Sequence, residues 1–223
     1  MTLENLRKIA RGMVPGLKTT VVSNALLDAI INSMVSDVTQ MGRCLKTSTL
    51  FNVTSGTGTY NITSAVSDFL SMDSPGLWWY DGSQWQQLDP VTLKYLDDNY
   101  PNWRDDASGD PQRYAIDSNI ITVHPTPGTT LASGFKLYHI QAPVDMSSIT
   151  HYPFSGTTTE YPFLKIFDWA IIHGVIWKLK AIMNKSLNEY NKDEDFYEKA
   201  LEKASLEFDR RLDISAVAKL GME

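Results

Sequence analysis

The sequence predicts an α+β fold in which helices from both ends of the chain form one bundle, with an antiparallel β-sandwich or barrel inserted between them. Apolar residues recur at helical spacing near the N-terminus and again near the C-terminus. Between these segments Thr, Ser, Gly, Asp and aromatic residues dominate, and no helical period persists. We therefore expect N-terminal helices of the bundle over 1–44, an inserted β domain over 45–160, and C-terminal helices with a tail over 161–223.

Two helices are predicted at the N-terminal end. The first covers 2–11, with Thr2 as its N-cap. The second covers 23–41, because its apolar residues recur every three or four positions, and Gly42 is expected to cap its end. The opposite face of the second helix is polar, so one side should pack and the other should meet water.

The β domain should begin with two hairpins. Strands over 47–53 and 59–62 are expected to pair with each other across a short turn. Strands over 77–80 and 84–88 flank an Asp-Gly dipeptide, which is typical of a type I′ turn.

A short helix, a third hairpin and a closing strand should complete the β domain. Asp89 and Pro90 predict a helix that runs to about residue 97, with Asp as the N-cap and Pro at the first helical position. Two runs rich in Ile, Thr and Val, 113–117 and 120–124, are separated by two residues and predict a hairpin. The closing strand covers 135–140.

Two helices are also predicted at the C-terminal end, over 163–183 after Pro162 and over 193–213. The first of them is apolar on nearly every side, so it needs burial on several faces. A chain of this size offers few places to bury such a helix, and we expect part of it to pack against a neighbouring copy. The residues assigned to that subunit interface are Trp169, Ile172, Val175 and Ile176.

The net charge of −6 is unevenly distributed. Residues 46–160 contain five Lys and Arg against twelve Asp and Glu. Sequence-independent DNA binding needs Lys and Arg to neutralise phosphates, so DNA should pass this region without being held. We expect the lysines at 165, 178, 180 and 185, on and beyond the apolar helix, to form a solvent-exposed edge and not a DNA-binding surface.

No membrane partner is expected. No apolar run approaches the roughly 18 residues that a membrane span needs, and charged residues occupy the place where a signal peptide would have its apolar core. We therefore expect synthesis in a cytoplasm. Cys44 is the single cysteine, which excludes an internal disulfide and a cysteine-based zinc cluster within one chain.

Catalytic chemistry has weak support in the sequence, and we expect no catalytic residues, no metal and no cofactor. The four histidines are isolated, although His124 and His139 could meet on neighbouring strands and hold a metal. Asp97 and Asp106 are among several loop carboxylates that could act as the general acid and general base in the hydrolysis of a sugar. Loop aspartates are more often turn formers and caps.

The tryptophans of the β domain suggest a binding surface. Strand alternation should send Trp78 and Trp79 to opposite faces, so at least one large ring should be exposed. Exposed rings, including that of Trp103, serve protein interfaces or carbohydrate stacking. A carbohydrate-binding module is therefore one alternative function, and a glycoside hydrolase with paired carboxylates is another.

The segment 109–128 carries a more specific pattern. It reads G-x-P-x-x-Y, then a hairpin, then an aliphatic strand that ends on P-x-P, with a helix pair upstream and another downstream. This arrangement resembles the neck adaptor, or head-to-tail connector, proteins of tailed bacteriophages, of the podovirus type. The residues that carry the resemblance are Gly109, Pro111, Tyr114, Ile120, Val123, Pro125, Pro127 and Tyr138.

The resemblance implies a structural virion protein located in the neck. Such proteins form a ring, typically twelve-fold, that binds beneath the portal protein, joins it to tail nozzle or tail-tube proteins and surrounds the DNA exit channel. Genomic DNA passes through without sequence-specific binding during ejection. On this interpretation Arg210, Arg211, Ile214 and Leu220 face the portal, and Trp79 and Trp103 face the tail.

Overall fold

The computed structural model describes residues 1–183 and 187–220, and describes side chains for 1–183 and 191–211. Its helices are α1 Leu3–Met13, α2 Asn24–Gly42, α3 Ile62–Ala65, α4 Leu93–Asn99, α5 Asp168–Ile182 and α6 Leu187–Leu220, with a 3₁₀ helix at Pro162–Phe167. Its strands are β1 Lys46–Val53, β2 Thr59–Asn61, β3 Phe69–Tyr80, β4 Trp85–Gln87, β5 Asp89–Val91, β6 Arg113–Asp117, β7 Ile120–His124 and β8 Leu131–Gln141. The predicted α+β class is confirmed.

The chain divides into two compact units. Residues Met1–Leu45 and Ala142–Glu223 form a helical unit, and Lys46–Gln141 form a β unit. The range predicted for the β domain, 45–160, runs past the end of this β unit. Residues after 141 are tied to the helical unit, because Asn32 exchanges two hydrogen bonds with the backbone of Met146.

The two N-terminal helices form where the sequence predicts them. The side chain of Thr2 accepts a hydrogen bond from the backbone N–H of Asn5, and that of Ser23 accepts one from Leu26. These side chains satisfy donors that the first turn of a helix cannot pair internally. The prediction that Gly42 caps α2 is wrong, because Gly42 is the last helical residue and Arg43 adopts the left-handed conformation, with φ of 46°.

The C-terminal helices differ from prediction in their bounds. The segment from Pro162 to Phe167 forms a 3₁₀ helix, so α5 begins at Asp168 and not at 163. Helix α6 spans 34 residues and extends beyond the predicted 193–213 at both ends. The residues of α5 that lie in the core are Ala170, Ile171, Ile172, Gly174, Val175, Ile176 and Leu179, which pack with α1, α2 and α6 in one apolar core.

The β unit contains two four-stranded sheets, in the orders β1-β8-β3-β4 and β2-β7-β6-β5. The predicted hairpin of β1 with β2 is wrong, because β1 pairs with β8 and β2 pairs with β7. The predicted start of the next helix is also wrong. Asp89 and Pro90 lie in β5, which runs parallel to β6, and helix α4 begins after its N-cap Thr92.

Two hairpins form near their predicted positions. Strands β6 and β7 have the predicted bounds, with Asp117 opposite Ile120. Strands β3 and β4 also form a hairpin, but the type I′ turn is wrong, because Tyr80 pairs with Trp85 and leaves a four-residue loop. In that loop the carboxylate of Asp81 accepts hydrogen bonds from the backbone N–H groups of Ser83 and Gln84.

Candidate protein-interaction surfaces

The residues predicted for a subunit interface do not share one surface. Trp169 is exposed over 57% of its area, whereas Ile172, Val175 and Ile176 are each no more than 3% exposed. The expectation that the last three lie at the surface is therefore wrong, because the chain's own α1, α2 and α6 pack around α5. Of the four residues, only Trp169 is available to a partner.

Trp169 belongs to a row of three rings across α5 and α6. The ring centroid of His173 lies 5.9 Å from that of Trp169 and 5.7 Å from that of Phe196. Phe196 is 44% exposed. We call Trp169, His173 and Phe196 the aromatic row. Exposed Trp and Phe rings that stack on a rigid pair of helices are typical anchors of protein interfaces.

The centre of the aromatic row carries little positive charge at neutral pH. Burial lowers the pKa of the His173 imidazole below its usual value, and the negative charge of Asp193 opposes this shift in part. The ammonium of Lys192 lies at one end of the row, with its Nζ 5.7 Å from the ring centroid of Phe196. The row is therefore an apolar surface with one basic edge.

Sequence reasoning missed Phe196. In the sequence, Tyr197, Leu201, Ala204 and Phe208 recur at helical spacing and predict an apolar stripe, and this stripe, which is buried, begins one residue after Phe196. Phe196 lies about 100° around the helix from Tyr197 and so falls outside the stripe. A large aromatic residue beside a complete apolar stripe was the signal that could have identified it.

A groove of about 470 Å³ lies elsewhere on the helical unit. It is formed by residues after the end of α2, by the 3₁₀ helix and by α6. We call it the apolar groove, and its principal lining residues are Leu45, Tyr161, Phe163, Leu164, Phe208 and Arg211. Cys44 also lines it, and burial raises the pKa of its thiol to about 12, so the thiol is neutral.

Arg210 and Arg211, which were predicted to face the portal, lie beside this groove on α6. Their side chains are 69% and 40% exposed, and both form ion pairs with Glu207, at 3.0 Å and 2.9 Å. The pKa of Glu207 is lowered, chiefly by its hydrogen bonds with these two arginines. Ile214 and Leu220, the other predicted portal-facing residues, have side chains outside the described part of the chain.

The predicted tail-facing tryptophans are buried in the β unit. Trp79 is 0% exposed and packs against Phe135, with ring centroids 5.4 Å apart. Trp103 is 8% exposed, and its indole N–H donates to Asp97 at 2.9 Å. The expectation that Trp79 offers an exposed ring is wrong, because its face of β3 lies in the apolar core of the β unit. Trp85, at 36% exposure, is the tryptophan of this unit that solvent reaches most.

The two strand histidines lie in different sheets, so the prediction that they could meet on neighbouring strands is wrong. His124 is in β7 and contacts Asp106 at 3.0 Å, whereas His139 is in β8 and lies 3.5 Å from Asp68. In the part of the chain that the structure describes, no cluster of three or more His, Cys, Asp or Glu side chains could hold a metal ion.

The carboxylates considered for sugar hydrolysis are engaged in structural contacts. Hydrogen bonds from Trp103 and Arg104 lower the pKa of Asp97 below its usual value. A catalytic acid of a glycosidase needs the opposite, a raised pKa. Asp106 is the hydrogen-bond partner of His124.

Three of the four lysines predicted to form a solvated edge are paired with carboxylates in the part of the chain that the structure describes. Lys165 pairs with Glu160 at 3.0 Å, Lys178 with Asp37 at 2.6 Å, and Lys180 with Asp193 at 2.6 Å. Lys185 lies outside the described residues. These ion pairs do not favour DNA binding, because each ammonium already contacts a carboxylate.

Among the helices that the structure describes, none has the length and apolarity that crossing a membrane requires.

Comparison with protein families shows that residues 1–220 match the model of the family described as SU10 adaptor protein. No curated protein matches the chain.

Proposed function

This chain belongs to the SU10 adaptor protein family and is a structural adaptor of a bacteriophage particle, and we propose that it joins the portal to the tail as a ring of identical copies. The family places such a protein in the neck of the virion, and proteins of this kind are typically not enzymes. The proposed ring has twelve copies, is of the podovirus type and surrounds the channel through which the genome leaves.

The aromatic row is the observation that supports assembly most directly. Helix α5 buries most of its apolar side chains within its own chain, yet Trp169 remains 57% exposed, and its neighbour in the row, Phe196 of α6, remains 44% exposed. Burying a fully exposed large apolar side chain contributes about 1.5–3 kcal/mol, so covering these half-exposed rings would contribute roughly half of that each. We propose that the copy-to-copy contact uses the aromatic row, with Trp169 retained from the predicted interface and Phe196 added.

A closed ring can be stable even when each contact between neighbouring copies is weak. When one face of a subunit meets a different face of the next, a rotation that closes the ring repeats the same contact at every copy. Each copy then contributes two contacts to the assembly. A chain whose copies bind weakly in solution can therefore form a stable ring once a platform gathers them.

The two units of the adaptor should meet different partners. We propose that the end of α6, with Arg210 and Arg211, faces the portal protein. Tail nozzle or tail-tube proteins would meet the β unit, where Trp85 takes the place of the buried Trp79 and Trp103 as the exposed ring. The acidic balance of residues 46–160 supports passage of DNA without retention, because like charges repel.

The burial of the tryptophans also weakens the rival functions. A carbohydrate-binding module would need flat exposed rings, and Trp79 and Trp103 are both buried. A glycoside hydrolase would need a carboxyl with a raised pKa, whereas the pKa of Asp97 is lowered.

The test of this function is reconstitution with the portal protein encoded by the same phage. The purified chain is mixed with portal rings and examined by sedimentation velocity and negative-stain microscopy. We expect a collar of twelve copies below the portal. Trp169→Asp should abolish the collar, whereas Tyr95→Asp, which changes a 41% exposed ring in the β unit, should not. A wild-type chain that never joins the portal would contradict the proposal.

A further inference from the structure

His173 occupies the centre of the aromatic row, and it is the member of the row that can change its charge. Its imidazole lies between the rings of Trp169 and Phe196, with interplanar angles of 31° and 28°. The residue is half-buried, so part of the imidazole still meets water. A surface that covers both outer rings must also cover the ring between them. Burial of the aromatic row therefore includes burial of His173.

The charges around His173 leave an added proton without a carboxylate of its own. Asp193 of α6 is the acid that acts on the imidazole, but this buried carboxylate already forms an ion pair with Lys180 of α5 at 2.6 Å. Lys192 places an ammonium at the Phe196 end of the row. Among the described residues, neither α1 nor α2 contributes a charge that shifts the pKa of His173. Protonation would therefore add a second cation to an apolar surface.

Water favours the charged form of His173 more than the neutral form. Burial within the free chain already lowers the pKa of the imidazole below its usual 6.5. The faces of the Trp169 and Phe196 rings attract a cation, but this attraction exists before and after a partner arrives, so it does not favour association. A partner that covers the row removes the remaining water, and the charged form then loses more than the neutral form.

We propose that His173 makes the contact between copies sensitive to protons, because a neutral imidazole allows the aromatic row to be buried and an imidazolium opposes it. This inference rests on the proposed function, in which the row is covered by a second copy of this chain. The contact is fully available above the pH at which His173 titrates in the free chain, and it weakens as the pH falls through that point. A closed ring repeats the effect at every copy.

The experiment measures binding of the full chain to portal rings by sedimentation velocity at about pH 7.5 and about pH 5, on either side of histidine titration. Wild type should bind about tenfold more weakly at the lower pH. His173→Gln cannot ionise, so its affinities at the two pH values should differ much less, whatever its affinity at the higher pH. His151→Gln is the matched control, because His151 is a half-buried histidine of the same unit outside the aromatic row, and it should keep the wild-type ratio.

A second measurement follows the proton on His173 directly and needs no variant. The chain is labelled with carbon-13 at histidine, and the ring signals are titrated in the free chain and in assemblies sedimented with unlabelled portal. We expect His173 to take up its proton at a lower pH in the assembly. Titration at the same or a higher pH overturns this inference and leaves the adaptor function intact, and so does a His173→Gln ratio equal to that of wild type. A wild-type chain that joins the portal at neither pH overturns both proposals.

Discussion

Gly42, the last residue of α2, lies directly against the ring of Phe167, the last residue of the 3₁₀ helix that precedes α5. A Cβ atom on residue 42 would lie 2.7 Å from Cε1 of the Phe167 ring, closer than such atoms approach in proteins. Phe167 is fully buried and also contacts Phe154 and Phe208, with ring centroids 6.3 Å and 5.8 Å away. Because Gly42 has no side chain, the Phe167 ring has space in the apolar core of the helical unit.

Gly42→Ala should destabilise the helical unit by about 1–3 kcal/mol, because the buried ring has little space in which to move. Urea unfolding followed by far-UV circular dichroism measures the change. Gly12→Ala is the control. Gly12 lies in α1 with no atom within 4 Å of an added Cβ, so it should stabilise by about 0.5–1 kcal/mol. Equal effects of the two substitutions would contradict the packing argument.

Substitutions at Ile172 and Trp169 should distinguish an effect on folding stability from an effect on assembly. Ile172→Ala removes a side chain that is 2% exposed and should cost about 2–5 kcal/mol of unfolding free energy. Trp169→Ala changes an exposed ring and should alter stability by less than about 1 kcal/mol while it weakens assembly on the portal. Denaturant unfolding and the reconstitution assay, run on both variants, give the comparison. An Ile172→Ala chain of normal stability would show that α5 is not buried as described.

The carboxylate of Asp81 should titrate well below other aspartates. Hydrogen bonds from the backbone of Gln84 and from Ser83 lower its pKa to about 2 from the usual 3.8. A lowered folded-state pKa means that the stabilisation is complete above the unfolded value and is lost as pH falls from about 4 to 2. Carboxyl NMR titration measures the midpoint directly. Ser83→Ala removes one donor and should raise the pKa of Asp81 toward its usual value, and an unchanged midpoint would contradict this assignment.

Cys44 should resist alkylation in the folded chain. Burial raises the pKa of its thiol to about 12, and the residue is 5% exposed, so the reactive thiolate is scarce and shielded. Labelling with iodoacetamide at mildly alkaline pH should be at least about 100-fold slower in the native protein than in urea. Mass spectrometry over a time course follows the reaction. Native labelling at the rate of the unfolded chain would place Cys44 at the surface.

Local interactions explain which elements were predictable from sequence. Thr2 and Ser23 cap α1 and α2 through bonds to residues three positions later, so a short stretch of sequence contains the whole signal. The β6 and β7 hairpin is equally local, since its two strands are separated by two residues. The order of elements along 109–128 also suggested the adaptor family, which the match over residues 1–220 confirms.

Strand pairing was not predictable in the same way. Strand β1 pairs with β8, so Lys46 lies opposite Ile140, a residue more than ninety positions away. Nothing in the sequence near β1 distinguishes this partner from β2, which follows it directly. Alternation along a strand likewise separates two faces without telling which one is buried, and this is why Trp79 was expected at the surface.

The sequence by itself determined the class of the fold, the positions of most helices and strands, and the family, because these depend on periodicity, capping and motif order within short segments. Only the tertiary structure decided which side chains a partner can reach. It buried Ile172, Val175 and Ile176 beneath the chain's own helices and left Trp169 and Phe196 in solvent. The physical reason is that exposure depends on every segment that packs over a residue, and those segments come from distant parts of the chain.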